Sequence, residues 1–107
     1  MKNFFQKKVL ITGAASGIGK LMATTLSKRG AEIIIADINL IEAQKVINEI
    51  KQFGGKASAF AVDLSDVDSI KKLKTQLTGA GISIDILINN AGVVFGGEFE
   101  KELLEKQ

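Results

Sequence analysis

Apolar positions along the chain come in two kinds, short continuous runs and faces spaced at helical intervals, with glycines between them. Val9-Leu10-Ile11 reads as a short strand buried on both faces. Ile18, Leu21, Met22, Thr25 and Leu26 then recur at i, i+3, i+4, i+7 and i+8, which predicts the inner stripe of a helix ended by Gly30. Ile33-Ile34-Ile35 is the second strand. Leu40, Ala43, Ile47 and Ile50 form one face of a second helix, capped by Asn39 and stopped at Gly54-Gly55. A weaker third strand is expected over 57–62. Ser65, with Asp68 three positions on, has the spacing of a capping box, and Val67, Ile70, Leu73 and Leu77 continue it as a helical stripe as far as Gly79 and Gly81. The fourth strand is expected over 84–88. The charged tail 98–107 reads as the opening of one more helix, with no strand after it.

Strands apolar on both faces, separated by helices, pair in parallel because each crossover returns the chain in the same direction. The expectation is therefore a doubly wound α/β unit. Neither a repeat nor a low-complexity stretch nor a linker divides the 107 residues, which have the length of one domain at most.

Composition narrows the chemistry. Fourteen basic and 12 acidic side chains leave a net charge of +2, and the lysines are scattered among the acids. That distribution offers no electrostatic footprint for nucleic acid or an anionic membrane. No apolar run approaches the ~18 residues of a membrane span, and the first residues lack the core of a signal peptide. The cytoplasm is the expected compartment. The sequence contains no cysteine, histidine, tyrosine, tryptophan or proline. Disulfides, thiolate or imidazole metal sites, and Ser-His-Asp or Cys-His catalysis are thereby excluded for this chain, and no metal site is expected.

The first strand runs into Thr12-Gly13-Ala14-Ala15-Ser16-Gly17-Ile18-Gly19, which opens the first helix. At the carboxyl end of a strand in an open α/β sheet, such a turn lets backbone N–H groups and the helix N-terminus meet a pyrophosphate directly. A tight turn needing positive φ would account for one glycine; three in seven residues call for the close approach of a ligand. Asp37 ends the second strand, near the separation of about 20 residues expected for the acid that receives ribose hydroxyls. A carboxylate there accepts from an adenosine ribose and repels a 2′-phosphate, which points to NAD rather than NADP. Ser16 offers no cation for an extra phosphate.

These motifs resemble the N-terminal part of the classical short-chain dehydrogenase/reductase family. Gly13-x-x-x-Gly17-x-Gly19 behind Thr12 is similar to that family's cofactor signature, and differs from the spacing of the extended epimerase branch. Asp63-Leu64 resembles its adenine-contacting pair, although Asp63 could equally belong to a capping cluster with Ser65. Asn89-Asn90-Ala91-Gly92 resembles the motif that stabilises the sheet centre and lines the cofactor ribose. The resemblance implies a partial Rossmann-type parallel sheet, βαβαβαβ in strand order 3-2-1-4. It implies that residues 1–107 are the NAD-binding N-terminal part of a single domain, which in the family runs to about 250 residues.

The resemblance also implies a function. The whole protein would transfer hydride between the nicotinamide of NAD(H) and a small-molecule alcohol or ketone. Gly13, Ser16, Gly17, Ile18 and Gly19 would hold the pyrophosphate and its ribose, and Asp37 the adenosine hydroxyls. Asp63 and Leu64 would hold the adenine, and Asn89, Asn90, Ala91 and Gly92 the central sugars. The run 89–95 is similar to that of retinol and 17β-hydroxysteroid dehydrogenases, which points to a lipophilic substrate, and 3-oxoacyl carrier-protein reductases share most of the same half. The family's catalytic serine, tyrosine, lysine and relay asparagine have no counterparts here, so the chain alone is expected to be inactive. It is also expected to self-associate or fold marginally and to bind NAD weakly, whereas full-length family members form homo-oligomers. Two other readings compete: a non-catalytic dinucleotide sensor or interaction module, and, more remotely, an S-adenosylmethionine-dependent methyltransferase.

Overall fold

A computed structural model describes residues 4–91. The elements alternate as β1 (Lys8–Thr12), α1 (Gly17–Lys28), β2 (Glu32–Asp37), α2 (Leu40–Gln52), β3 (Ala57–Ala61), α3 (Val67–Gly79) and β4 (Ile86–Asn89). All pairings are parallel, and the sheet order is β3-β2-β1-β4. The chain therefore winds outward from β1 through β2 to β3 and then crosses back to the other side of β1. Between β1 and β4 the direction of winding reverses, and in such sheets a ligand crevice opens at that switch, at the carboxyl ends of the strands.

The two central strands explain why the apolar runs are continuous. Successive side chains point to opposite faces. Val9, Ile11, Ile33 and Ile35 pack with Ala23 of α1 and with Val46, Ile47 and Ile50 of α2. Leu10, Ile34 and Ala36 pack on the other face with Ile70, Leu73 and Leu77 of α3. Each fully buried Leu or Ile contributes roughly 1.5–3 kcal/mol relative to exposure. Among the described residues β3 and β4 are the sheet edges, and their side chains are half-buried or exposed. No helix among the described residues is long and apolar enough to cross a membrane.

The structure departs from the sequence reading in several places: Leu40, expected on the inner face of α2, is exposed at the start of that helix, and β3 ends at Ala61, one residue short of the expected range. The inner face of α1 is not the stripe expected from hydrophobicity: Ile18 and Leu21 are 71% and 64% exposed and Thr25 is exposed, while Gly19, Ala23 and Ser27 are buried, with Met22 and Leu26 packed beside them. The helix lies so close to the glycine-rich turn and the sheet that small residues must face inward, and small residues carry little apolar signal. The cap of α3 is Asp66, not Ser65. The Asp66 carboxylate accepts from Asp68 N–H at 3.0 Å, while the Ser65 hydroxyl donates to Asp63 Oδ1 at 2.6 Å. A carboxylate two residues upstream outcompetes the helix end for that hydroxyl. Finally, β4 begins at Ile86 because Asp85 is used at its entry: Lys8 N–H donates to the Asp85 carboxylate at 2.8 Å, and Asp85 N–H to the Lys8 carbonyl at 2.9 Å. Asn39 caps α2 as expected, accepting from Glu42 N–H at 3.1 Å.

Candidate functional site

The carboxyl ends of β1 and β4 are stitched together by polar side chains. Thr12 is fully buried; its hydroxyl donates to Asn89 Oδ1 at 2.9 Å and accepts from Ala91 N–H at 3.2 Å. Asn90 Nδ2 donates to the Gly13 carbonyl at 3.1 Å. Asn90 thus acts on the backbone of the turn and Asn89 on the Thr12 side chain at its start, and neither lines the cleft described below.

The turn itself needs its glycines for different reasons. Gly13 takes φ +69° and Gly17 φ +61°, in the left-handed region that costs other residues about 1–2 kcal/mol. Gly19 is a matter of space. A Cβ there would overlap the Gly13 carbonyl oxygen and lie 2.7 Å from Asn90 Nδ2 and 2.9 Å from Ala14 Cα. Around Gly17, by contrast, a Cβ would meet no atom within 4 Å, so this part of the turn faces open space.

The N-terminus of α1 differs from those of the other two helices. Asn39 and Asp66 cap α2 and α3 with their side chains, and an acid stands in the first turn of each, whereas Ser16 makes no side-chain cap and α1 has no acid in its first turn. The first helical hydrogen bond runs from Lys20 N–H to the Ser16 carbonyl, so the amides of Gly17, Ile18 and Gly19 precede the ladder. Aligned peptide dipoles leave partial positive charge at such an end, suited to an anion.

Beside it lies a cavity of about 250 Å³. Ala36, Ile38, Val62 and Leu64 provide apolar lining, with Gly13 and Ala91 from just past the ends of β1 and β4, and two acids, Asp37 and Asp63, belong to the same lining. Ile38 is 73% exposed, an apolar side chain left outside the core next to the cleft. Asp37 Oδ2 accepts from Ala15 N–H at 3.2 Å, and Oδ1 from Asn39 N–H at 2.8 Å. Asp63 Oδ1 accepts from both the N–H and the hydroxyl of Ser65, at 2.9 and 2.6 Å, and these bonds, the hydroxyl's first, hold its carboxyl below the usual carboxylate range. Asp63 is therefore an acceptor at neutral pH, and its Oδ2 keeps its capacity. A flat heteroaromatic ring with an amino group fits this chemistry: apolar walls for the faces and a carboxylate for the N–H.

Of the residues singled out in the sequence, the structure gathers Gly13, Asp37, Asp63, Leu64 and Ala91 on one cleft, with Ser16, Gly17, Ile18 and Gly19 on the adjoining turn and helix end. Gly92 lies outside the described residues. Sequence reasoning missed Ile38 and Val62 as walls and Ala15 as the partner of Asp37. An isoleucine just past the acid that ends a strand was a readable signal for the first; the other two had none, since both are ordinary apolar positions.

A doubly wound sheet with an uncapped, glycine-fronted helix at its switch point belongs to the class of α/β proteins that take ligands at strand carboxyl ends. More narrowly, the chain belongs to the short chain dehydrogenase family, whose model matches residues 7–107. It is 44% identical over 87 residues to an uncharacterized oxidoreductase of Bacillus subtilis (strain 168), covering 81% of this chain and 32% of that protein. Among solved structures it resembles a metagenomic short-chain oxidoreductase in complex with NADP, with a TM-score of 0.78 and 34% identity over 84% of this chain and 41% of that one. It also resembles a 7α-hydroxysteroid dehydrogenase complexed with NADH and 7-oxo glycochenodeoxycholic acid, with a TM-score of 0.73 and 36% identity over 79% and 33% of the two chains. The chain thus spans 32–41% of the length of these relatives.

Proposed function

We propose that this chain is the coenzyme-binding part of an NAD-dependent oxidoreductase that moves a hydride between nicotinamide and an alcohol or ketone. The observation that carries the reading is the pairing of an uncapped α1 N-terminus with a cleft holding Asp37 and Asp63. The first-turn amides of Gly17, Ile18 and Gly19, with Gly13 and Ser16, receive the pyrophosphate. Asp37 takes the adenosine hydroxyls. Asp63 takes the adenine amino group, while Leu64 packs on the ring. Asn89 and Asn90 serve by holding the turn; Ala91 lines the cleft, and Ala91 and Gly92 are assigned to the central sugars.

The coenzyme is NAD rather than NADP in this reading, although similar proteins have been solved with either kind. A 2′-phosphate near the Asp37 carboxylate meets repulsion of about 1–4 kcal/mol at 4 Å, depending on how far water screens it, and larger for a doubly charged phosphate. A 7α-hydroxysteroid dehydrogenase among the relatives favours a lipophilic alcohol or ketone as substrate class. The chain contains no tyrosine to exchange the proton on the substrate oxygen, so residues 1–107 by themselves bind coenzyme without turnover.

Titration of the chain with NAD and NADP, followed by NMR to capture weak binding, tests the reading. NAD is expected to bind at least tenfold tighter, and Asp37→Ala to narrow the gap. Equal affinity for the two coenzymes with Asp37 intact would overturn the choice of NAD; binding of neither at millimolar concentration would overturn the site.

A further inference from the structure

We propose that Asp37 is also a positioning residue: resting on the coenzyme reading above, its carboxylate latches the glycine-rich turn in its anion-receiving shape before any coenzyme arrives.

The geometry comes from how the turn is held. Its start is fixed by Gly13 N–H donating to the Ala36 carbonyl at 3.2 Å and by Asn90 on the Gly13 carbonyl. Its end is fixed by the first helical bond, from Lys20 to Ser16. Between them the chain passes from one left-handed glycine to another, Gly13 to Gly17, and glycine in that region restrains the backbone least. The Ser16 side chain makes no cap. Among the described residues, the hydrogen bond in the middle of this span is the one from Ala15 N–H to Asp37 Oδ2. Asp37 can act as a fixed anchor because its other oxygen is held by Asn39 N–H at the entry to α2.

Latching and ribose binding do not compete. A carboxylate offers about four acceptor positions. Ala15 and Asn39 take one on each oxygen, which leaves one on each for the two ribose hydroxyls. Ala15 N–H, being taken by Asp37, is withdrawn from phosphate binding, so the anion is directed to the amides of the first helical turn. One side chain therefore links the choice of coenzyme at one end of the cleft to preorganisation of the pyrophosphate site at the other.

A coenzyme analogue separates the two roles. NAD whose adenosine is 2′,3′-dideoxy has no hydroxyls for Asp37 to accept from. If the carboxylate acts on the ribose alone, the unmutated chain and Asp37→Ala bind this analogue equally. The latch requires the unmutated chain to bind it about five- to tenfold tighter. Amide exchange by NMR gives a second readout in the ligand-free chain, independent of any variant: Ala15 N–H is expected to exchange at least tenfold more slowly than Ser16 N–H. In Asp37→Ala this protection is lost while Ile34 N–H in the central strand keeps its own, which distinguishes a local latch from general loss of stability. Equal affinity of the two proteins for the dideoxy analogue, or equal exchange at Ala15 and Ser16 in the unmutated chain, overturns the latch. Neither result touches the preference for NAD over NADP, which stands or falls on the titration of those two coenzymes.

Discussion

The side-chain amide of Asn90 donates to the carbonyl of Gly13 at 3.1 Å, joining the end of the last described strand to a turn 77 residues earlier. Beside it the Thr12 hydroxyl bonds Asn89 and Ala91 in the same way. The switch point of the sheet is thus closed by side chains, where the backbone ladder between β1 and β4 has run out.

Thr12→Val keeps the shape of a fully buried residue but leaves Asn89 Oδ1 and Ala91 N–H without their partner. It is expected to lower stability by about 1–3 kcal/mol in urea unfolding, whereas Thr12→Ser retains the hydroxyl and loses less. A valine variant as stable as the unmutated chain would mean that the stitch contributes nothing net.

Two glycines of the turn should fail differently. Gly19→Ala forces backbone and Asn90 apart, because the overlapped atoms include the Gly13 carbonyl and Ala14 Cα, and a loss of about 1–3 kcal/mol is expected. Gly17→Ala meets no neighbour and costs about 1–2 kcal/mol through its positive φ. It also puts a methyl group where the proposed pyrophosphate approaches. Coenzyme affinity per unit of stability lost should therefore fall further for Gly17→Ala, as paired melting and titration experiments would show; the opposite order would place the ligand elsewhere.

The inner face of α1 is open to a simple comparison. Leu21→Lys should change stability by no more than about 0.5 kcal/mol, because Leu21 is largely exposed. Ala23→Leu, at a fully buried position against the sheet, should cost about 1–3 kcal/mol by overpacking. Thermal melts that ranked the two the other way round would restore the stripe expected from hydrophobicity alone.

Asp63 supplies a pH test. Its carboxyl is held below the usual range by the Ser65 hydroxyl and N–H, so the folded-state value is the lower one. What the bonds contribute to stability is present above the ordinary carboxylate value and disappears as pH falls through the depressed one. Ser65→Ala is expected to move the Asp63 titration, followed by carboxyl NMR shifts, upward toward the ordinary value. An unmoved midpoint would show that the backbone N–H alone sets it.

Much of the fold was legible because it rests on local rules. Runs such as Ile33-Ile34-Ile35 announce strands buried on both faces, and Asn39 before Leu40 announces a helix start. The capping of α3 was misread because Ser65, Asp66 and Asp68 are all plausible caps, and the choice depended on Asp63 claiming the serine first. The face of α1 was misread because Gly19, Ala23 and Ser27 face inward through closeness of approach, which residue hydrophobicity does not encode.

The sequence by itself determined the alternation of strands and helices, a glycine-rich turn between β1 and α1, and the position of an acid at the end of β2, since periodicity, turn composition and strand ends are properties of short stretches of chain. Tertiary structure alone decided that Asp37 reaches the amide of Ala15, that Asn90 closes on Gly13, and that α1 turns its small residues inward. Those outcomes depend on how close separate elements approach one another, a distance set by packing the whole sheet and invisible to any one segment.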